Sequence, residues 1–200
     1  MRLQDVLDSA PVWHFFRWSL DLAFGVYRKR KALLQEWGAA DGSVLDVACG
    51  IGQFSDATQQ GYLGIDLNRD YIERAISLHR AKHIEFRCMD VKDLSANAGR
   101  ANTVLLIGIL HHLDEETARD LLAAIKALAQ EQLIVMEVVQ EQTNLFGRWI
   151  KNNDRGKYVR HQRELNRLVA DAGFELADER IFYLGPTRTI ATRWRPAVAG

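Results

Sequence analysis

Short apolar runs alternate along this chain with longer stretches whose apolar residues recur every three or four positions. The short runs predict strands at Ser43 to Ala48, Tyr62 to Ile65, His83 to Arg87, Thr103 to Gly108 and Leu133 to Val138. The fourth and fifth contain Val-Leu-Leu-Ile and Leu-Ile-Val-Met, nearly unbroken apolar sequences that suit a strand covered on both faces. Helical spacing predicts helices at Gln53 to Gln60, Arg69 to Arg80, Asp114 to Gln130 and His161 to Ala172. Leu121, Leu122, Ile125 and Leu128 form one buried stripe of the longest, and Gly173 supplies a left-handed stop to the last. Two further strands, Phe174 to Tyr183 and Thr187 to Arg195, are joined through Gly185-Pro186. This alternation predicts an α/β fold, a doubly wound, mostly parallel sheet with helices on both faces.

Two segments fall outside the alternation. In the first, Val12, Phe15, Phe16, Leu20, Phe24 and Tyr27 recur at helical spacing, with Trp13 and Trp18 beside them. The second runs from Val139 to Arg160 and mixes Phe146, Trp149 and Tyr158 with Arg148, Lys151, Arg155, Lys157 and Arg160. Long irregular connections of this kind are usually functional or disordered.

The chemistry concentrates where the first strand ends. Val44 to Ser55 reads Val-Leu-Asp-Val-Ala-Cys-Gly-Ile-Gly-Gln-Phe-Ser, and Asp66 closes the next strand fourteen residues after Gly52. Glycines let backbone approach a ligand because no Cβ intervenes. An acidic side chain at the end of the second strand accepts from both hydroxyls of a ribose. The pattern is therefore that of a nucleoside site. A dinucleotide site requires a third glycine three positions after Gly52, where this chain has Ser55.

The spacing Asp46-x-x-x-Gly50-x-Gly52, followed by Asp66, resembles the first motif of the class I S-adenosylmethionine-dependent methyltransferases, and the likeness runs in order from about Val44 to Val139. The resemblance implies a Rossmann-like sheet of seven strands whose last strand is antiparallel. It also implies S-adenosylmethionine as cofactor and S-adenosylhomocysteine as product. Ala48, Gly50 and Gly52 would pass backbone beside the methionine part, and Asp46 would orient this loop or reach the amino group. Asp66 would hold the ribose, Leu67 would pack on the adenine, Asp90 would take the adenine amino group and Val91 would give a backbone amide. Tyr27 is a candidate for the cofactor's carboxylate, as is Arg17. Both Asp66 and Asp90 also suit a second role, helix N-capping.

After the fourth strand comes Gly108-Ile109-Leu110-His111-His112-Leu113. Ligands of open parallel sheets sit beyond the carboxyl ends of the strands, so Gly108 to His112 should face cofactor and acceptor. A histidine there suits a general base for a hydroxyl acceptor, with His111 and His112 not separable. The other reading is that the rings only shape the pocket.

Composition narrows the acceptor. Lys plus Arg equal Asp plus Glu at 26 each, which removes any bulk attraction to nucleic acid. The Asn/Asp-Pro-Pro-Tyr/Phe motif of related amino methylases is absent, as is a Pro-Cys nucleophile. A small-molecule or lipid-like acceptor follows, with hydroxyl methylation the first choice. The basic residues of the aromatic segment, together with Arg163 just after it, are either a clamp for an anionic group or a solvated surface. Arg28-Lys29-Arg30-Lys31 beside the aromatic N-terminal stretch suits peripheral contact with anionic lipid, or else a cap helix over the cofactor.

Hydrophobic residues at 48% and only two cysteines, Cys49 and Cys88, suit one globular domain in a reducing cytoplasm, with no metal site. The expected layout is a helical cap over residues 1–38, a cofactor-binding core over 43–138, a lid insertion over 139–160 and a C-terminal helix and strand pair over 161–200. Two other classes remain: a non-catalytic nucleoside-binding protein of the same fold, and an NAD(P)-dependent oxidoreductase.

Overall fold

In a computed structural model of the chain, residues 25–94, 99–141, 156–184 and 187–197 are described. Their centre is a seven-stranded sheet in the order β3-β2-β1-β4-β5-β7-β6. The strands are β1 (Val44–Val47), β2 (Tyr62–Asp66), β3 (Ile84–Cys88), β4 (Ala101–Ile107), β5 (Ala129–Val138), β6 (Phe174–Leu184) and β7 (Thr187–Pro196). The first five pair in parallel, and β7 lies antiparallel between β5 and β6. The order reverses between β1 and β4, which places a crevice beyond their carboxyl ends.

Alternate residues of the central strands feed two separate cores. Val104, Leu106, Leu133 and Val135 face one way, against α3 (Glu115–Lys126) and α4 (Gln162–Asp171), joining Leu121, Leu122, Ile125, Leu165 and Leu168. Leu105, Ile134 and Met136 face the other way, toward Leu34 and Trp37 from α1 (Val26–Glu36) and its end. This two-sided burial is the reason β4 and β5 read as continuous apolar runs.

Capping sets several boundaries. Asn68, not Asp66, is the N-cap of α2 (Arg69–Leu78), accepting from the amides of Asp70 and Tyr71. Asp114 caps α3 through the amide of Thr117. Gly173 adopts φ 88 just after α4, as its sequence position predicts.

Two expected elements differ. The helix expected at Gln53 to Gln60 is instead a chain of turns, with Ser55 N–H bonded to Gly52 O at 3.1 Å and Ala57 N–H to Phe54 O at 2.9 Å. Thr58 closes the segment early by donating its hydroxyl to Gly42 O at 2.7 Å and accepting from the amide of Gln60 at 3.0 Å. Side chains that satisfy the backbone locally compete with a helix. The long helix ends at Lys126, not Gln130, because β5 begins at Ala129, opposite Ala101 of β4. Pairing with a neighbouring strand overrides the polar composition of Gln130 to Gln132. The aromatic stretch Val12 to Phe24 lies outside the described residues, as do Arg17, Arg148, Lys151 and Arg155. Among the described residues, no helix is long and apolar enough to cross a membrane.

Candidate active site

Four loops at the carboxyl ends of β1, β2, β3 and β4 carry most of the expected residues along one rim of the sheet. The first follows β1. Ala48 has φ 60, making it the one non-glycine residue with positive φ among those described, and Gly50 and Gly52 follow at φ 56 and 76. A Cβ at Gly50 would meet nothing within 4 Å, so that glycine lies open. Gly52 is different: a Cβ there would come within 2.6 Å of Phe86 Cε1. Gly50 thus presents bare backbone to the rim, whereas Gly52 is required by packing from below.

Asp66 ties the first two loops together. Its Oδ2 accepts from the amide of Gly50 at 2.9 Å and its Oδ1 from the amide of Asn68 at 2.8 Å. Each oxygen keeps further lone-pair capacity for hydroxyl donors. Next to it Leu67 is 72% exposed, a large apolar side chain offered at the rim. Beneath, Asp46 is 2% exposed and accepts the Tyr62 hydroxyl at 2.6 Å. Burial pushes its carboxyl up to about 7, against the lowering effect of the Tyr62 bond, and Asp66 nearby adds to the rise.

Asp90 stands after β3 as the cap of a short turn, Val91–Asp93, accepting from the amide of Lys92 at 2.9 Å. The capping role expected as the alternative for Asp90 is therefore present, and Val91 is buried behind it. Tyr27 on α1 lies with its ring 6.0 Å from that of Phe54, close to the first loop in sequence.

The loop after β4 is built around a residue that the sequence reading did not select. Glu137 of β5 is 2% exposed. Its Oε1 accepts from the amides of Ile109 at 2.8 Å and Leu110 at 2.6 Å. Its Oε2 accepts from His111 Nδ1 at 2.6 Å. The signal was a lone carboxylate following Leu-Ile-Val-Met in a strand buried on both faces. Buried carboxylates need such partners, and all three donors come from one loop. The two histidines now separate: His111 is buried and bound to Glu137, whereas His112 is exposed, its ring 4.1 Å from that of His111. Gly108, at φ 71, ends β4 just before them.

The base of the expected lid lies across this loop. Tyr158 N–H bonds His111 O at 3.0 Å, and a Cβ on Gly156 would come within 3.0 Å of His111 Cγ. Arg160 donates to Leu110 O at 2.6 Å and Leu113 O at 2.9 Å. Arg160, one of the basic residues considered for an anion clamp, commits its guanidinium to these carbonyls and lies 3.5 Å from Glu115 Oε2. Lys157 and Arg163 remain exposed.

The open Gly50 backbone, the Asp66 carboxylate and exposed Leu67 offer a close approach, an acceptor and an apolar face, which suits a nucleoside. Among the described residues, no cluster of side chains has metal-binding geometry.

Solved structures share this fold. The magnesium protoporphyrin IX methyltransferase of Synechocystis, solved with bound S-adenosylhomocysteine, superposes with a TM-score of 0.71 at 19% identity, over 98% of each chain. Human N-acetylserotonin methyltransferase, in complex with S-adenosylmethionine, gives 0.63 at 17% identity over 78% of this chain and 48% of its own. The N-methyltransferase NodS of Bradyrhizobium japonicum gives 0.67 at 15% identity over 87% and 98%. No curated protein matches the sequence at a significant level. Residues 21–179 match the methyltransferase domain family, so the chain belongs to that family and is an S-adenosylmethionine-dependent methyltransferase.

Proposed function

We propose that this enzyme methylates a hydroxyl oxygen of a small or amphipathic acceptor, with His111 as general base and Glu137 as its positioning residue. The observation that carries this reading is the 2.6 Å bond between His111 Nδ1 and Glu137 Oε2. A carboxylate accepts only, so Nδ1 bears the proton and Nε2 is left as the basic nitrogen. That tautomer is the one a base requires. Amine acceptors make less use of it, since the lone pair of a neutral amine attacks without prior loss of a proton.

S-adenosylmethionine, when bound, supplies a methyl group already activated on a sulfonium. The acceptor oxygen forms the new bond to that carbon, the carbon–sulfur pair stays on sulfur, and the hydroxyl proton passes to His111. The protein's work is alignment and exclusion of water. In this reading Asp66 accepts from the ribose, Leu67 covers the adenine and Asp90 and Val91 meet its polar edge. The backbone of Ala48, Gly50 and Gly52 runs beside the methionine part, supported by Asp46. Gly108 lets the loop turn toward the acceptor, and Tyr27 reaches for the carboxylate. Exposed Lys157 and Arg163 suit an acceptor with an anionic group. The fold neighbours named for magnesium protoporphyrin IX and N-acetylserotonin support a small-molecule acceptor.

The test is methyl transfer from radiolabelled S-adenosylmethionine to matched panels of hydroxyl, amine and carboxylate acceptors. Turnover on hydroxyls that His111→Ala abolishes supports the reading. Turnover confined to amines, or unchanged in that variant, overturns it.

A further inference from the structure

The first loop takes positive φ at Ala48, Gly50 and Gly52, and its internal contacts are Cys49 Sγ to Gly50 O at 3.6 Å and Gly52 N–H to Cys49 O at 3.0 Å. Further fixed points come from outside the motif. His79, the residue that ends α2, places Nε2 3.1 Å from Ile51 O and Nδ1 3.1 Å from Ser55 Oγ. A carbonyl only accepts, so Nε2 donates to Ile51 and Nδ1 accepts the Ser55 hydroxyl, leaving one neutral tautomer that satisfies both. Ser55 is buried, so its hydroxyl depends on protein partners. The His79 ring lies 5.8 Å from that of Phe86, which in turn lies 5.7 Å from Tyr62 in an edge-on contact. Gly52 rests on this pair: a Cβ there would meet Phe86 at 2.6 Å and His79 Cδ2 at 3.2 Å.

We propose that His79 is a positioning residue for cofactor binding, bridging Ile51 O and Ser55 Oγ so that the open backbone at Gly50 is held ready for the ligand. Tyr62, Phe86 and His79 form the support on which the loop lies. His79 touches no reacting atom; it acts through the loop. A loop held in its binding conformation loses less conformational freedom on binding, so removing the bridge weakens affinity. The inference rests on the cofactor assignment above.

The experiment is calorimetric binding of S-adenosylhomocysteine to the full chain and to two variants that divide the side chain's features. His79→Gln offers an amide donor and a carbonyl acceptor but no ring. His79→Phe keeps a ring against Phe86 but loses both hydrogen bonds. We expect His79→Phe to bind at least tenfold more weakly, about 1.4 kcal/mol, and His79→Gln to stay within about threefold of the wild type. Thermal unfolding of each unliganded variant shows whether it is folded. Binding by His79→Phe equal to the wild type overturns the proposal, as does equal weakening in both variants. A folded wild type that binds no S-adenosylhomocysteine overturns the cofactor assignment itself, a result distinct from either.

Discussion

The two loops that frame the site are built in different ways. The loop after β1 is closed from β2 and the end of α2: Asp66 reaches Gly50 across 16 residues, and His79 reaches Ser55 across 24 and Ile51 across 28. The loop after β4 is closed by side chains from β5 and from the chain before α4, with Glu137 26 residues from His111 and Arg160 50 residues from Leu110. The first is a backbone surface whose shape is stored in glycines. The second is a side-chain site whose central carboxylate belongs to another strand. The groups assigned to cofactor recognition thus lie largely in one compact stretch, while those assigned to acceptor chemistry depend on the assembled sheet and on the chain before α4.

If this division holds, the two loops separate under mutation. The largest effect is expected from Glu137→Gln. Its amide presents a donor to His111 Nδ1, which forces the proton onto Nε2 and removes the base. Methyl transfer should fall about 100-fold or more, with affinity for S-adenosylhomocysteine unchanged by calorimetry. A parallel loss of affinity would show that the loops are one unit. Gly52→Ala should do the reverse. It places a methyl against Phe86 at a positive φ, at a cost of about 2 kcal/mol, read as weakened S-adenosylhomocysteine binding and a lowered unfolding midpoint.

Arg160→Ala tests the distant anchors. Losing its bonds to two carbonyls should lower stability by about 2 kcal/mol in chemical denaturation, again with cofactor affinity retained. Asp66→Ala sharpens the cofactor side: a drop of about tenfold in S-adenosylhomocysteine affinity, ~1.4 kcal/mol, is expected from loss of the ribose acceptor and the Gly50 bond together.

The smallest effect is a slope in pH. Asp46 has its carboxyl raised from 3.8 to about 7 in the folded protein. Between those values the folded state holds a proton that the unfolded state has released. Stability from this group is therefore present below about pH 4 and declines as pH rises through about 7. Asp46→Asn, which keeps an acceptor for the Tyr62 hydroxyl, should flatten that part of the stability curve.

The same division governs what the sequence could reveal. Val44 to Asp66 was legible because its glycines and carboxylates lie at spacings dictated by one strand, one turn and the next strand. The sheet was legible because β4 and β5 are apolar on both faces. The turns at Gln53 to Gln60 were not, since Thr58 closes them through Gly42, sixteen residues back. Glu137 left a visible trace as a charge in an apolar strand, but its three partners exist only once β4 and β5 are paired. Arg160 looked like any member of a basic run, and only its carbonyl and Glu115 partners set it apart from Lys157 and Arg163.

One small feature bears on how such an enzyme is altered. Gln140 N–H bonds Arg160 O at 3.0 Å, and its side-chain amide donates to Val159 O at 2.7 Å. The strand end and the lid's return are thereby fastened to each other ahead of α4, whatever chain runs between them. Lengthening a connection whose ends are already held costs little, about 0.6 kcal/mol for each doubling of a flexible loop. The fastening makes this a natural graft point: residues 142–155 can be exchanged as a cassette with the histidine, its carboxylate and the first loop left as they stand.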